Sequence, residues 1–269
     1  NVFLLSDRNK KDPGIDSPGV KPAPVKSVSA FGAGIMGSSI AAVCVKKDMP
    51  TAITDVSPAG LEKGVQAILE EVSYNKQTRG SDAAKAMHFA CKINATVTDA
   101  ELASADLVIE AVVENAQVKK QLFARIEPLL GDKAILASNT STIPIATLAA
   151  DLKRPDRFVG IHFFNPVRKM PLVEVIRGPQ TSDETVATAV GFAKSVGKSP
   201  IVVYDGPGFL VNRCLLPYMN EALELVMDGA PIDKVEKAAK VFGMPMGPIT
   251  LYDVVGLDTA FYAGKVMYE

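Results

Sequence analysis

The chain has 269 residues, 48% of them apolar and 22% charged, with a formal net charge of -1. That is an ordinary globular balance, long enough for a substantial core and two domains, and it gives no electrostatic reason to expect nucleic acid or an acidic membrane as a partner. Three scattered cysteines (Cys44, Cys91, Cys214) and only two histidines (His88, His162) argue against a disulfide framework, a structural zinc or a His-rich metal centre, and suit a reducing compartment.

Residues 1–24 stand apart. The first eleven could be the end of a helix, whereas 12–24 are punctuated by proline and glycine throughout, which predicts an extended linker rather than a packed element. A linker opening on Asn1, with no signal peptide pattern, implies that something upstream has been removed. No apolar run is long enough to form a transmembrane segment.

Residues 25–55 set the plan of the first domain. A short apolar strand pattern, Val28 to Phe31, turns at Gly32-Ala33-Gly34-Ile35-Met36-Gly37 into an apolar helical run, and a second strand pattern ends on Asp55. The first glycine permits the tight turn, the second lets a pyrophosphate approach the backbone, and the third lets the helix pack on the strand. A lone glycine motif is weak, but here the preceding strand, following helix and acidic residue about twenty positions on are all present. They predict a dinucleotide site of Rossmann type. Asp55 would bond the ribose hydroxyls and repel a 2′-phosphate, so NAD is favoured over NADP.

Ser57-Pro58 starts the next helix, with Ser as N-cap and Pro in the first turn, and a polar helical segment follows near 81–88. Strand patterns then recur at 93–97, 106–112, 134–138, 158–164, 173–177 and 200–204, with helices between several of them, notably 116–130, stopped by Gly131. Apolar strands alternating with helices predict a doubly wound, mostly parallel sheet with antiparallel additions at one edge. From residue 206 the pattern turns helical: 209–227, 233–242, 249–255 and 259–268. The expected α/β organisation is therefore a 1–24 linker, a 25–205 dinucleotide-binding domain and a 206–269 all-helical C-terminal domain, cut short at its end.

Four polar strings sit at strand ends or at the hand-over to the helices: 138–141, 162–166, 172–174 and 205–213. Ligands of open α/β sheets bind at the carboxyl ends of the strands. His162 and Glu174, on neighbouring strands, are the parts of a general base with an orienting carboxylate. Alone, His162 is as readily a core imidazole bonded to backbone, Glu174 a solvent-facing edge residue, and Asn212 a local helix cap.

The strings GAGIMG, VIEAVVEN, SNTSTIPI, HFFNPVRKMPLVEVI, DGPGFLVNR and GMPMGP, in this order and spacing, resemble the L-3-hydroxyacyl-CoA dehydrogenase family from Val25 onward. The resemblance implies NAD-dependent oxidation of an L-3-hydroxyacyl-CoA to the 3-ketoacyl-CoA. His162 would be the acid/base and Glu174 its partner, with Ser141 and Asn212 on the substrate's 3-oxygen. The cofactor would meet Gly32, Gly34, Ile35, Met36, Gly37, Asp55, Glu114, Lys119, Ser141 and Asn165, the last also near the thioester. The Pro/Lys-rich segment KPAPVKSV is similar to the joint in multifunctional fatty-acid oxidation proteins, where an enoyl-CoA hydratase domain lies upstream. The family resemblance implies an acyl-CoA substrate, with a cytoplasmic location if the chain is bacterial and a mitochondrial or peroxisomal one otherwise. The apolar faces of 209–227 and 249–268, with little sequence after them to cover them, predict a homo-oligomer. A helix-borne lysine base, as in β-hydroxyacid dehydrogenases, does not suit the HFFNP and LVE strings. A non-catalytic member of the same fold, or an inactive fragment, is the alternative.

Overall fold

The computed structural model describes residues 2–268. The chain divides into two compact units, residues 1–140 with 145–205, and residues 141–144 with 206–269.

The first unit opens with α1 (Val2–Lys11) and then alternates strand and helix. In order come β1 (Val28–Phe31), α2 (Ile35–Val45), β2 (Thr51–Thr54), α3 (Pro58–Ser73), the short pair β3 (Tyr74–Asn75) and β4 (Gly80–Ser81), and α4 (Ala83–Ala90). The chain continues through β5 (Ile93–Ala95), α5 (Asp99–Ala103), β6 (Leu107–Glu110), α6 (Ala116–Ile126), β7 (Ile135–Ser138) and α7 (Ile145–Ala149). It closes with β8 (Phe158–Phe163), β9 (Leu172–Arg177), α8 (Asp183–Ser195) and β10 (Ser199–Tyr204). Side chains cap the helix starts as the residue types require: Ser57 accepts from Gly60 N, Asp82 from Lys85 N, and Asn115 from Val118 N.

Eight strands form one sheet in the order β10-β9-β8-β7-β6-β1-β2-β5. The six from β8 to β5 pair in parallel, β9 pairs antiparallel to β8, and β10 runs parallel to β9. The expected antiparallel edge is thus present, although α8 still separates its two strands. The strand order reverses between β1 and β6, so their carboxyl ends diverge around a crevice. Parallel strands sealed on both faces read as continuous apolar runs. Accordingly β1, β6, β7 and β8 are buried along their whole length.

Three local expectations change. The helix predicted for 116–130 ends at Ile126, because Pro128 has no N–H to continue it, and residues 127–129 tighten into a 3-10 turn. Arg154 donates to the carbonyls of Glu127, Leu130 and Gly131 at that end. Residues 12–24 carry no helix or strand and are mostly exposed, yet the N-terminal segment lies against the domain. Ile15 lies on the main core, Ala23 N donates to Thr188 Oγ1 at 3.0 Å, and Lys194 Nζ donates to Lys10 O at 3.1 Å. With Asn9 Nδ2 donating to Pro200 O at 2.7 Å, the N-terminal segment covers the β10 edge of the sheet.

The third change lies in the second unit, which contains α9 (Val211–Met227), α10 (Ile232–Phe242), α11 (Pro248–Val255) and α12 (Leu257–Tyr268). Here α9 starts two residues later than predicted, because Phe209 has φ +53 and lies outside the helical region. Met219, Tyr252 and Ala260 form the buried centre of this unit, with Leu215, Leu223 and Leu251 packed around them.

Candidate active site

The glycine turn follows β1, and each glycine has a different reason to be there. Gly32 has φ +101, and a Cβ on it would stand 2.5 Å from Ala111 O. A Cβ on Gly37 would overlap the Gly32 carbonyl oxygen, so the third glycine lets α2 close on the turn. At Gly34 nothing lies within 4 Å of the added carbon. Gly34 is also the N-cap of α2 and offers no side chain to its first amides. An open backbone with unsatisfied N–H groups and the positive end of a helix dipole suits a pyrophosphate. Ile35 is largely exposed beside it, and Met36 packs on the core.

Asp55, just past β2, is held by two amides, Ala33 N to Oδ2 at 2.9 Å and Ser57 N to Oδ1 at 3.0 Å. Each oxygen keeps a lone pair for a ribose hydroxyl. The residues present therefore fit a dinucleotide, with phosphates at the glycine turn and adenosine ribose at Asp55.

Across the crevice, at the end of β6, Glu110 has no exposed surface. Its Oε1 accepts from Lys119 Nζ at 2.6 Å and from Val112 N at 2.7 Å, and its Oε2 accepts from Ser138 Oγ at 2.6 Å. Burial pushes the Glu110 carboxyl up from its usual range, against the pull of the Lys119 ammonium and the two donors. Lys119 is itself buried and also pairs with Glu114 at 3.1 Å, while Thr140 Oγ1 donates to Glu114 at 2.5 Å. Glu114 and Lys119 come from the family resemblance and Ser138 from the polar 138–141 string; the Glu110 carboxylate that joins Lys119 to Ser138 is not singled out by either. A strand-terminal Glu and Ser look solvated, and only the fold brings Lys119 and Ser138 to the same carboxylate.

His162 and Glu174 face each other directly in the antiparallel register of β8 and β9. Nδ1 and Oε2 are 2.8 Å apart, with the imidazole 6% and the carboxylate 0% exposed. Nδ1 is the ring nitrogen at Glu174, which leaves Nε2 on the other side of the ring. The solvent-facing edge reading of Glu174 is corrected: β9 lies between β8 and β10 and is no edge strand, and Glu174 is fully buried. The Phe164 ring stands 4.3 Å from the imidazole, centroid to centroid.

Nearby, Asn139 Oδ1 accepts from Phe163 N at 2.9 Å and ties the end of β7 to that of β8. Asn165 is exposed in the loop after β8. That loop is held by Lys198, whose Nζ donates to Val167 O and to Met170 O. Burial pushes the Lys198 ammonium below the usual lysine value.

In the second unit, Asn212 Nδ2 donates to the Ser141 carbonyl at 2.9 Å. Asn212 is therefore no cap: Leu210 occupies the N-cap position of α9, and the Asn212 side chain reaches back to residue 141. The geometry brings together His162 with Glu174, Glu114 with Lys119, and Ser141 with Asn212.

Residues 27–206 match the description "3-hydroxyacyl-CoA dehydrogenase, NAD binding domain", and residues 208–269 match the C-terminal domain of the same enzyme. The fatty acid oxidation complex subunit alpha of Pseudomonas syringae pv. syringae is 46% identical over 245 residues, covering 91% of this chain. The chain spans 34% of that relative's length. Among solved structures, the (S)-3-hydroxybutyryl-CoA dehydrogenase of Ralstonia eutropha is similar with a TM-score of 0.86 and 38% identity, over 91% of this chain and 87% of that one. The 3-hydroxybutyryl-CoA dehydrogenase of Escherichia coli K12 is similar with a TM-score of 0.84 and 34% identity, over 91% and 52%.

Proposed function

Given that the chain belongs to the 3-hydroxyacyl-CoA dehydrogenase family, with the family's NAD-binding domain over residues 27–206, we propose that it oxidises L-3-hydroxyacyl-CoA reversibly to 3-ketoacyl-CoA in fatty-acid β-oxidation. The observation that carries this reading is the buried 2.8 Å pair of His162 and Glu174 at the strand ends. Bound NAD supplies the hydride acceptor.

The protein's own part is to hold and move a proton. Nε2 of His162 takes the hydroxyl proton as the C3 hydride departs. Glu174 stabilises the resulting imidazolium and keeps the ring in one tautomer and orientation. Ser141 and Asn212 hold the 3-oxygen through hydrogen bonds that strengthen as charge develops there. On the cofactor side, the Gly32–Gly37 turn takes the pyrophosphate and Asp55 the ribose hydroxyls. Glu114, Lys119 and Asn165 line the nicotinamide half. We further propose that in a longer protein an enoyl-CoA hydratase domain upstream would supply the substrate, in the cytoplasm if the chain is bacterial.

The test is turnover of acetoacetyl-CoA with NADH and, in parallel, NADPH. NADH oxidation is expected, with kcat/KM at least about tenfold above that for NADPH, since a carboxylate at the ribose repels a 2′-phosphate. Equal use of both cofactors contradicts the role of Asp55. No turnover of any 3-ketoacyl-CoA contradicts the reading as a whole.

A further inference from the structure

Asp205 is the last residue of the first unit before the chain crosses to the second, and it has no part in the proton transfer. Both its carboxylate oxygens are engaged. Oδ1 accepts from Ile145 N at 2.8 Å and Oδ2 from Ala146 N at 2.7 Å. These are the first two amides of α7, left without intrahelical partners, and a carboxylate binds such amides strongly. The backbone of Asp205 is fixed as well, its N donating to Arg177 O at 3.2 Å.

What Asp205 joins is informative. Residues 141–144 leave the first unit and return at Ile145; the chain leaves again after Asp205. The carboxylate therefore fastens the return of the first excursion to the departure of the second. Beyond this anchor the two segments stay in register, with Gly208 N donating to Thr142 O at 3.2 Å and Asn212 Nδ2 to Ser141 O at 2.9 Å. Between them Gly208 (φ +71) and Phe209 (φ +53) are both left-handed, a costly conformation for an aromatic residue that persists only where the surroundings fix it.

We propose that Asp205 is a positioning residue for the substrate's 3-oxygen: by binding the Ile145 and Ala146 amides at the residue that precedes the 206–212 segment, it sets the register at which Asn212 meets Ser141. The proposal rests on Ser141 and Asn212 binding that oxygen. A cap that served stability alone would hold α7 without affecting that register.

The variants are Asp205→Ala and Asp205→Asn, the second keeping the shape and one acceptor oxygen. Asp205→Ala is expected to lower kcat/KM for acetoacetyl-CoA by about 10- to 100-fold, the loss that accompanies a displacement of about 1 Å at a reacting group, with Asp205→Asn in between. In a Ser141→Ala background the same change should cost less than about threefold, because residues acting through one another are not additive. Ser182→Ala, which uncaps α8, should lower the melting temperature yet remain additive with Ser141→Ala. Independently of turnover, the Asn212 side-chain amide resonance should move in Asp205→Ala and move less in Asp205→Asn. A full Asp205→Ala effect in the Ser141→Ala background, or an unmoved Asn212 resonance, overturns the proposal. Unchanged kcat/KM in Ser141→Ala would instead overturn the role of Ser141 and with it the catalytic half of this inference, while the resonance still decides the register.

Discussion

Glu110 and Glu174 are both fully buried, and each is accommodated because the fold delivers a partner to it. Glu174 receives the His162 imidazole from the neighbouring strand; Glu110 receives Lys119 from α6 and Ser138 from β7. The first pairing was legible in the sequence because both residues sit in apolar strand runs where an unpaired polar group is costly. The second was not. Glu110 and Ser138 end their strands, where side chains usually reach water, and their bond spans 28 positions. Cys44 shows the same dependence on burial. It lies wholly inside the core, and burial pushes its thiol from 9.0 to about 12. A folded-state pKa above the unfolded one gives stability that is complete below pH 9.0 and is lost as pH rises towards 12, by about 1.4 kcal/mol per pH unit. Urea unfolding at a series of alkaline pH values should show that decline, and Cys44→Ala should flatten it. An identical slope in the variant would place the loss on another group.

Among elements, the strand and helix order followed from apolar runs and their punctuation. The misses have local causes: Pro128 ends α6 early, and Phe209 delays α9. The largest difference is the N-terminal segment. Its composition marked it as a linker, since proline and glycine exclude helix and strand. Composition says nothing, however, about whether an extended chain lies on a surface. Here it covers the edge of β10, packs a partly buried Ile15 on the core and takes the Lys194 ammonium at Lys10 O. Removing residues 1–24 is therefore expected to lower stability by about 1 kcal/mol or more, since Ile15 is partly buried and full burial of such a side chain contributes about 1.5–3 kcal/mol. Comparison of urea midpoints checks this; an unchanged midpoint would show that the segment is only laid against the sheet.

For the molecule as a whole, the second unit leaves large apolar side chains exposed on consecutive helices, including Met227, Val241, Phe242, Leu257 and Phe261. Apolar surface of that extent marks an interface, and we expect association with a second copy. Sedimentation equilibrium should give a mass rising with concentration above the 28.5 kDa of one chain; a single monomeric species throughout would contradict it. The two-part organisation was legible from the switch of pattern near residue 206. The four-residue excursion of 141–144 into the second unit was not, because SNTSTIPI reads as one polar loop. The central claim is that His162 moves the proton and Glu174 makes it able to. The most direct measurement is kcat for acetoacetyl-CoA reduction, with NADH affinity measured separately, in His162→Gln and Glu174→Gln. His162→Gln should lower kcat by about two to four orders of magnitude, the range for loss of a general acid or base, with NADH affinity near normal. Glu174→Gln should lower kcat and shift its pH dependence. A His162→Gln protein that kept most of its kcat would contradict the account.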